Sequence, residues 1–248
     1  MSSRYSVIHK IFPHVYKLRD NRHGHYVISK NYGDAELVTR EVINLIKIKK
    51  IENENKNQNI CFQKLYTDDP VSEDFCSIQT YYVPGNDLLS YYLLEKKIPE
   101  KKLKYLIENI YCGIKLLEEN NLLHCDIKPE NIVYEENSGK ITFIDFYSLS
   151  CIKKNKFCDS RQGTSSYMSP EVRNEMKMHN NSDLWSLGIT AATISIGFNP
   201  FHRHGVTYSN VQEHVGQLLE KEYSDEYTNT IYNLLHTKPE DRKFIHFK

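Results

Sequence analysis

The sequence predicts an α+β fold with a small, β-rich amino-terminal part and a larger, mainly helical carboxy-terminal part. Within residues 5–32, apolar and polar residues alternate around the turn residues 20–24, which is typical of strands joined by a hairpin. From Leu88 onward the apolar residues recur at helical spacing, and residues 101–120 form one long amphipathic stretch. The pattern beyond Asp183 is again mostly helical.

A helix and a further strand are predicted between these two parts. The stretch 35–50 has helical spacing, and one of its faces carries apolar residues with Glu41 among them. The apolar residues of this predicted face are Val38, Val42, Leu45 and Ile46. Residues 75–82 then have strand character and lead into the turn sequence Val-Pro-Gly at 83–85, where we expect the two parts to divide.

Composition and charge restrict the class of protein. The 248 residues include 32 Lys plus Arg and 32 Asp plus Glu, so no net charge favours nucleic acid or an anionic membrane as a partner. Residues 1–5 lack the apolar core of a signal peptide, and no stretch has the apolar length of a membrane span. Six cysteines without paired spacing indicate reduced thiols. We therefore expect an intracellular, cytoplasmic protein without nucleic-acid binding or membrane insertion.

Two short polar motifs lie on either side of a predicted β stretch. Residues 124–131 are His-Cys-Asp-Ile-Lys-Pro-Glu-Asn, and residues 145–147 are Asp-Phe-Tyr. Phosphoryl transfer requires a carboxylate at the attacking hydroxyl and oxygen ligands for the Mg²⁺ that bridges nucleotide phosphates. The residue types at Asp126, Asn131 and Asp145 meet these requirements.

These motifs resemble the catalytic core of a protein kinase. Residues 163–171 (Gly-Thr-Ser-Ser-Tyr-Met-Ser-Pro-Glu) resemble the end of a kinase activation segment, and residues 183–188 (Asp-Leu-Trp-Ser-Leu-Gly) resemble the start of the long buried helix behind it. The resemblance extends from about Tyr5 to Arg242 and is strongest over residues 124–188. It implies a compact, divergent, eukaryotic-type kinase that is similar to the serine/threonine kinases.

The resemblance also implies how the chain is organised and what it binds. It implies one bilobal domain over residues 1–248, with an N-lobe at about 1–82, a hinge at about 83–86 and a C-lobe at about 87–248. ATP and Mg²⁺ are the implied cofactors and a protein is the implied substrate, while a regulatory protein partner is compatible with the fold. Compact kinases of this kind occur in viruses and intracellular parasites, an origin that would place the chain in the host-cell cytoplasm.

The resemblance assigns chemistry to the motif residues. Asp126 is the candidate catalytic base for the substrate hydroxyl, and Lys128 is the cation that neutralises the transferred phosphoryl group. Asn131 and Asp145 are the candidate Mg²⁺ ligands. The run Lys-Pro-Glu at 128–130 is typical of serine/threonine kinases. Taken singly, Asp126 is more typical of a surface turn, and Asn131 and Asp145 are also typical of loop caps, so the roles depend on the motifs as a set.

A candidate ion pair lies nearer the amino terminus. Residues 27–30 (Val-Ile-Ser-Lys) have the register of the kinase strand Val-Ala-Ile-Lys, so the resemblance places Lys30 at the α- and β-phosphates of ATP. Glu41 on the following helix is the expected partner of Lys30. Glu36 is the alternative partner, although it follows the strand closely. An exposed Lys and an exposed Glu without mutual contact are the other interpretation.

Three further residues are assigned to nucleotide binding by resemblance. Val15 corresponds to the apolar residue that covers the adenine, and Thr80 corresponds to the gatekeeper before the hinge. Asp87 aligns with the acidic residue that meets the ribose. These assignments complete the predicted cofactor site.

The largest departure from the family is at the roof of the nucleotide site. Kinases have a Gly-x-Gly-x-x-Gly loop between the first two strands, because residues without side chains let backbone N–H groups approach phosphates. Here residues 11–17 (Ile-Phe-Pro-His-Val-Tyr-Lys) contain no glycine. We expect a shortened turn with poorer phosphate coverage, in which Phe12 or His14 could occlude the site. The alternative function is therefore a pseudokinase, or a kinase-mimic binding module that engages or inhibits a partner protein.

Two departures concern regulation. Cys125 replaces the Arg with which many kinases bind a phosphorylated activation segment, so we expect activity that does not require that phosphorylation. Tyr147 replaces the glycine that follows Asp-Phe in the family, which removes a residue that tolerates unusual backbone angles.

Four other residues match the architecture of the family. Thr164 corresponds to the threonine that contacts the catalytic base in serine/threonine kinases. Glu171 and Arg242 match a buried ion pair of the large lobe, which constrains structure without taking part in chemistry. Asp183 is expected to hold the catalytic loop through backbone hydrogen bonds.

Overall fold

The computed structural model describes residues 4–55, 57–152 and 163–248. The α+β architecture predicted from the sequence is confirmed, with the longer strands and helix α1 in the first third of the chain and the other described helices after it. The strands are β1 (Tyr5–Phe12), β2 (Val15–Asp20), β3 (Tyr26–Asn31), β4 (Ile60–Phe62), β5 (Ser77–Tyr81), β6 (Asn86–Asp87), β7 (Leu122–Leu123), β8 (Ile132–Glu135), β9 (Lys140–Phe143) and β10 (Ser150–Cys151). The helices are α1 (Ala35–Glu54), α2 (Leu88–Glu95), α3 (Glu100–Glu119), α4 (Pro170–Glu175), α5 (Ser182–Ile196), α6 (Val211–Leu219) and α7 (Asp225–Leu234).

The chain divides into two compact units. The first, called the sheet unit here, consists of the described part of Met1–Lys56 together with Phe62–Pro84 and Ile144–Tyr147. The second, called the helical unit, consists of Asn57–Cys61, Gly85–Phe143 and the described part of Ser148–Lys248.

The sheet unit is built on an antiparallel sheet with the strand order β1-β2-β3-β5. The predicted hairpin turn joins β2 to β3, and the register of this pair places Val15 opposite Lys30. Helix α1 lies against β5. Asp34 caps the amino terminus of α1, because its side chain accepts hydrogen bonds from the backbone N–H groups of Glu36 and Leu37.

The buried face of α1 differs from the predicted face. Ile46 belongs to the apolar face predicted from the spacing, but 50 % of its surface is exposed. The buried residues of the helix are Val38, Glu41, Asn44, Leu45, Ile48 and Ile51. Glu41 was placed on the predicted face and is buried, but Asn44 was not placed there. Asn44 is buried because its side-chain nitrogen donates to the backbone oxygen of Phe146.

The core of the helical unit surrounds α5. Every residue from Ser182 to Ile194 is buried, which is the pattern of a helix enclosed on all sides. Helices α3, α6 and α7 pack against it, and Trp185 is fully buried. The long amphipathic helix predicted at 101–120 is confirmed as α3.

Short strands fix the ends of the 124–131 loop. Strand β7 pairs with β10 and ends at Leu123, directly before the loop. Strand β8 begins at Ile132, directly after the loop, and pairs with β6 and β9 in a sheet of order β4-β9-β8-β6. Both ends of the loop are therefore held by strand pairing in the helical unit.

Two features bear on the predictions from composition. No helix within residues 4–55, 57–152 and 163–248 is long and apolar enough to cross a membrane. Five of the six cysteines lie among the described residues, and they are thiols rather than disulfides. The sixth, Cys158, lies outside the described residues.

Candidate functional site

The centre of the 124–131 loop is the carboxylate of Asp126, which is 9 % exposed. The ammonium nitrogen of Lys128 lies 3.1 Å from Asp126 Oδ2, and the backbone N–H of Thr164 donates to Oδ1 at 2.8 Å. Burial alone would raise the pKa of Asp126, but Lys128 and Thr164 outweigh it, so the pKa lies below the ordinary value. The carboxylate is therefore ionised at neutral pH.

Asn131 and Thr164 extend this cluster. The side-chain nitrogen of Asn131 donates to Asp126 Oδ2 at 2.9 Å and to the backbone oxygen of Asp126 at 2.8 Å. The ammonium of Lys128 also donates to the Thr164 hydroxyl at 2.7 Å. Because the nitrogen of the Asn131 amide is used in this way, its oxygen is the atom that suits a hard cation.

The local fold of the loop depends on Asp183. Its carboxylate accepts hydrogen bonds from the backbone N–H groups of His124, at 2.7 Å, and Cys125, at 3.0 Å. These bonds hold Cys125 at φ 66°, a left-handed conformation that is uncommon for a residue other than glycine. The arrangement expected for Asp183 from the sequence is thus present.

Gly163 allows the activation segment to approach Asp126. Its φ is 94°, and a Cβ atom at this position would lie 2.1 Å from the backbone oxygen of Cys125. Only glycine fits so close to another backbone, and Thr164 directly follows it. The backbone N–H of Thr164 can reach Asp126 because Gly163 lacks a side chain.

In the sheet unit, Lys30 lies between two carboxylates. Its ammonium nitrogen is 2.7 Å from Asp145 Oδ1 and 3.7 Å from Glu41 Oε2. Glu36, the alternative partner, is an exposed residue of the first turn of α1. Glu41 is only 2 % exposed, and this burial raises its pKa against the opposing effect of Lys30.

Tyr32 is a member of this cluster that sequence reasoning missed. Its hydroxyl donates a hydrogen bond to Glu41 Oε2, and the Lys30 ammonium lies 4.9 Å from the centre of its ring. The same ring packs on Tyr147 with 5.5 Å between ring centroids. Tyr32 therefore contacts both partners of the ion pair and the residue that replaces the family glycine.

The backbone of residues 145–147 is held from several directions. Asp145 has φ 63°, which is left-handed. The side-chain nitrogen of Asn44 donates to the backbone oxygen of Phe146 at 2.9 Å. The guanidinium of Arg40 lies 5.0 Å from the ring of Tyr147. Asn44 and Arg40 gave no signal in the sequence, because their partners lie about a hundred residues away in the chain.

The roof of the sheet unit is a two-residue turn. Pro13 and His14 connect β1 to β2, and Phe12 pairs with Val15 across the turn. His14 has φ 66°, a conformation usually left to glycine, and its backbone oxygen accepts a hydrogen bond from Asn31 at 2.8 Å. Phe12 is 60 % exposed. The turn is short, as expected, and it offers no glycine-lined backbone to a phosphate.

Thr80 and Asp87 have different surroundings. Thr80 is buried on β5, and its hydroxyl oxygen accepts a hydrogen bond from Gln63. Asp87 caps α2 in the helical unit, because its two carboxylate oxygens accept bonds from the backbone N–H and the hydroxyl of Ser90. Asp87 also pairs with Val133, which joins β6 to β8. In the structure its carboxylate therefore serves as the amino-terminal cap of α2.

Two groupings of the predicted site residues result. Val15, Lys30, Glu41, Thr80 and Asp145 all lie in the sheet unit, where Lys30 directly contacts both acidic residues. In the helical unit, three predicted residues are joined by hydrogen bonds or an ion pair, whereas Asp87 makes its contacts elsewhere. The three joined residues are Asp126, Lys128 and Asn131.

Comparison with known proteins identifies the family. The protein kinase domain model matches residues 11–246, and the chain belongs to this family. The chain is 32 % identical over 174 residues to the meiosis-specific serine/threonine-protein kinase mek1 of Schizosaccharomyces pombe. The matched region covers 64 % of this chain and 39 % of that protein.

Other similar proteins have longer chains as well. A protein of Dictyostelium discoideum named probable myosin light chain kinase is 25 % identical over 240 residues, which is 92 % of this chain and 47 % of that protein. The MAP kinase kinase MKK1/SSP32 of Saccharomyces cerevisiae is 35 % identical over 140 residues, 55 % of this chain and 27 % of that protein. The chain thus spans less than half the length of each of these relatives.

Proposed function

We propose that the chain is a serine/threonine protein kinase that transfers the γ-phosphoryl group of ATP to a protein hydroxyl. The observation that carries the proposal is the ionised carboxylate of Asp126, held by Lys128, Asn131 and the backbone of Thr164. Membership of the protein kinase family supports the reaction class, and relatives named as serine/threonine-protein kinases support the hydroxyl class.

In the helical unit, we assign the substrate hydroxyl to Asp126. The low pKa of Asp126 suits a residue that orients the hydroxyl and accepts its proton late in the transfer. Lys128 neutralises negative charge on the group in transfer. Its second contact, to the Thr164 hydroxyl, links the activation segment to the loop and supports the serine/threonine assignment.

The cofactor assignments rest on the chemistry of the donor atoms. Asp145 and Asn131 each offer an oxygen of the type that Mg²⁺ prefers, and Lys30 already binds a carboxylate oxygen at 2.7 Å as it would a phosphate oxygen. When bound, Mg²⁺ neutralises charge on the nucleotide phosphates. Lys30, kept in place by Glu41, would bind the α- and β-phosphates of ATP.

The remaining nucleotide contacts are proposed by family resemblance. Val15 would cover the adenine, and its position opposite Lys30 in the β2–β3 pair supports this. Thr80 would border the adenine from β5. Asp87 would meet the ribose, in competition with its bonds to Ser90. One kinase domain over 1–248, with its hinge at about 83–86, would hold these groups.

The partners follow from the reaction. A protein that carries Ser or Thr is the proposed substrate, and a regulatory protein partner is compatible with the fold. An intracellular, cytoplasmic location is proposed, because cytosolic ATP and reduced thiols agree with this use.

The two-residue turn at Pro13 and His14 is the observation that favours a binding module instead. That turn removes a phosphate-covering backbone, but it leaves the carboxylates and both lysines in place. Thermal unfolding with and without Mg-ATP separates the two functions, because a ligand that binds the native state raises its melting temperature. No rise with Mg-ATP would favour the binding module.

Radiolabelled phosphate transfer to generic protein substrates tests the kinase proposal. Asp126→Asn keeps the size of the side chain and removes its charge, so we expect transfer to fall by about 100-fold to 10,000-fold. Asp145→Asn should also abolish most transfer. Asp225→Asn, at the exposed start of α7, is the matched control and should keep the wild-type rate. Folded wild-type protein that transfers no more phosphate than Asp126→Asn would refute the proposal.

A further inference from the structure

One side-chain amide connects Thr80 to the backbone of Asp145. Gln63 directly follows β4, and its side-chain oxygen accepts a hydrogen bond from the backbone N–H of Asp145 at 3.1 Å. Its side-chain nitrogen donates to the hydroxyl oxygen of Thr80 at 2.9 Å. All three residues belong to the sheet unit.

The orientation of this amide is fixed by its partners. A backbone N–H can only donate, so the atom of Gln63 that faces Asp145 must be the oxygen. The nitrogen of Gln63 must then face Thr80, whose hydroxyl oxygen can accept. The reversed amide would set two donors against each other at Asp145 and would lose that bond.

Asp145 requires such support. Its φ of 63° is unfavourable for a residue with a side chain, and such a conformation persists only where the surroundings impose it. Lys30 holds the side chain of Asp145, and Asn44 holds the backbone oxygen of the next residue. The N–H of Asp145 itself donates to the side-chain oxygen of Gln63.

We propose that Gln63 is a positioning residue that holds the Asp145 carboxylate in the orientation used for Mg²⁺ and couples it to Thr80. Gln63 touches neither metal nor nucleotide in this proposal; it acts through the Asp145 backbone. The proposal rests on the proposed role of Asp145 as a metal ligand. It also makes Thr80 more than a bordering residue, because a change at Thr80 is transmitted through the amide to the metal carboxylate.

The first test measures the hydrogen bond without any ligand. Gln63→Met keeps the length of the side chain and removes both bonds, so we expect the Asp145 amide hydrogen to exchange with solvent about tenfold faster. Thr80→Val removes the second anchor of Gln63 and should speed this exchange by a smaller factor. Thr80→Ser keeps the hydroxyl and should retain the protection. Unchanged exchange in Gln63→Met would overturn the proposal.

The second test measures metal use. ADP binding is measured by calorimetry at a series of Mg²⁺ concentrations. Gln63→Met should raise by about tenfold the Mg²⁺ concentration at which ADP binding is half-maximal. Gln217→Met, on the exposed face of α6, is the matched control and should leave that concentration unchanged. The double variant Gln63→Met/Thr80→Val should need about the same Mg²⁺ concentration as Gln63→Met alone, because both changes act through one side-chain amide.

The outcomes separate this proposal from the kinase proposal. Faster amide exchange with an unchanged Mg²⁺ requirement would show that Gln63 supports the fold alone and would overturn its positioning role. Wild-type protein that binds no Mg-nucleotide while its Asp145 amide is protected would overturn the kinase proposal and the metal role of Asp145 together. If the hydroxyl of residue 80 anchors Gln63, the Asp145 amide hydrogen must exchange more slowly in Thr80→Ser than in Thr80→Val.

Discussion

At the scale of single residues, the candidate site consists of charged groups whose environment is set by a few uncharged neighbours. Asp126 remains ionised because Lys128 and the Thr164 backbone offset its burial. Glu41 has the opposite balance, since burial raises its pKa despite Lys30. The hydroxyl of Tyr32 donates a further hydrogen bond to Glu41, which opposes burial by lowering the pKa of Glu41.

Tyr32→Phe tests this role of the hydroxyl. The change removes the bond to buried Glu41 and keeps the ring against Lys30 and Tyr147, so we expect a stability loss of about 1 to 2 kcal/mol. Affinity for Mg-ATP should fall by about threefold to tenfold, because the Lys30 partner is less well held. Denaturant unfolding and nucleotide titration measure the two effects.

Tyr66→Phe is the matched control for this experiment. Tyr66 is fully buried in the same unit and donates to the buried carboxylate of Asp20 at 2.6 Å. Its loss should lower stability by a similar amount and leave nucleotide affinity unchanged. Equal effects of both variants on nucleotide affinity would contradict a local role for Tyr32.

At the scale of elements, helix α1 joins packing to the site. Its buried face combines apolar residues with Glu41, which faces Lys30, and Asn44, which binds the backbone after Asp145. Packing of the apolar residues therefore also determines where the two polar side chains lie. A helix that shifted against β5 would displace both contacts at once.

A pair of isoleucines tests the buried face of α1. Ile48 is fully buried, whereas Ile46 is 50 % exposed on the same helix. Ile48→Ala should destabilise the protein by about 2 to 5 kcal/mol, because it leaves a cavity. Ile46→Ala should change stability by less than about 0.5 kcal/mol. Similar losses in urea unfolding would instead favour the face predicted from apolar spacing.

The ion pair between α4 and the carboxy-terminal segment predicts a pH dependence. Glu171 Oε2 lies 2.6 Å from Arg242, whose side chain is fully buried. Burial raises the pKa of Glu171, but Arg242 outweighs it and holds the pKa below the usual 4.5. Since the folded-state pKa is the lower one, the stabilisation is present above the unfolded pKa and is lost as pH falls through the folded pKa.

Glu171→Gln should therefore weaken the fall in stability below pH 4.5 that the wild-type protein shows in urea unfolding. At neutral pH the variant should lose about 3 to 5 kcal/mol, because buried Arg242 keeps no counter-charge. Glu175→Gln is the control, because Glu175 is an exposed residue of α4 that pairs with Lys177. It should change neither the stability at neutral pH nor its fall in acid by much. An unchanged acid slope in Glu171→Gln would refute the assignment.

The sequence predicted the elements better than the contacts within the site. Helix α3 and strand β5 follow from local periodicity, and the backbone hydrogen bonds that Asp183 accepts follow from the resemblance of the whole motif to a kinase. The contacts of Gln63 and Asn44 could not be predicted, because each joins residues about eighty to a hundred positions apart with no local pattern. The burial of Asn44 on α1 has the same cause, since a polar residue in a buried face depends on a distant partner.

At the scale of the whole molecule, the family match covers nearly all of the chain and both units. In the proposal, Lys30 and Asp145 of the sheet unit act on the nucleotide phosphates and Mg²⁺, and Asp126 of the helical unit acts on the substrate hydroxyl. The departures from the family concern coverage of the phosphates and regulation. At Pro13 and His14 a short turn replaces a glycine loop, and Cys125 replaces the Arg that binds a phosphorylated segment.

Because Cys125 stands in place of an Arg, we expect activity that does not require phosphorylation of the activation segment. The side chain of Cys125 cannot form the bidentate contact by which an Arg orders a phosphorylated segment. Asp126 already has the Thr164 backbone and Lys128 as partners without any phosphate. An unphosphorylated chain should therefore be active from the start of a reaction. Of the hydroxyls in that segment, Ser160 lies outside the described residues.

The most direct test is the initial rate of phosphoryl transfer by protein made together with a phosphatase. Mass spectrometry first confirms that residues 145–171 carry no phosphate, and the products are then resolved by the amino acid modified. We expect Mg²⁺-dependent transfer to Ser and Thr that is linear from the first time point and is lost in Asp145→Asn. No transfer above that variant, or a lag that phosphorylation of residues 145–171 removes, would contradict it.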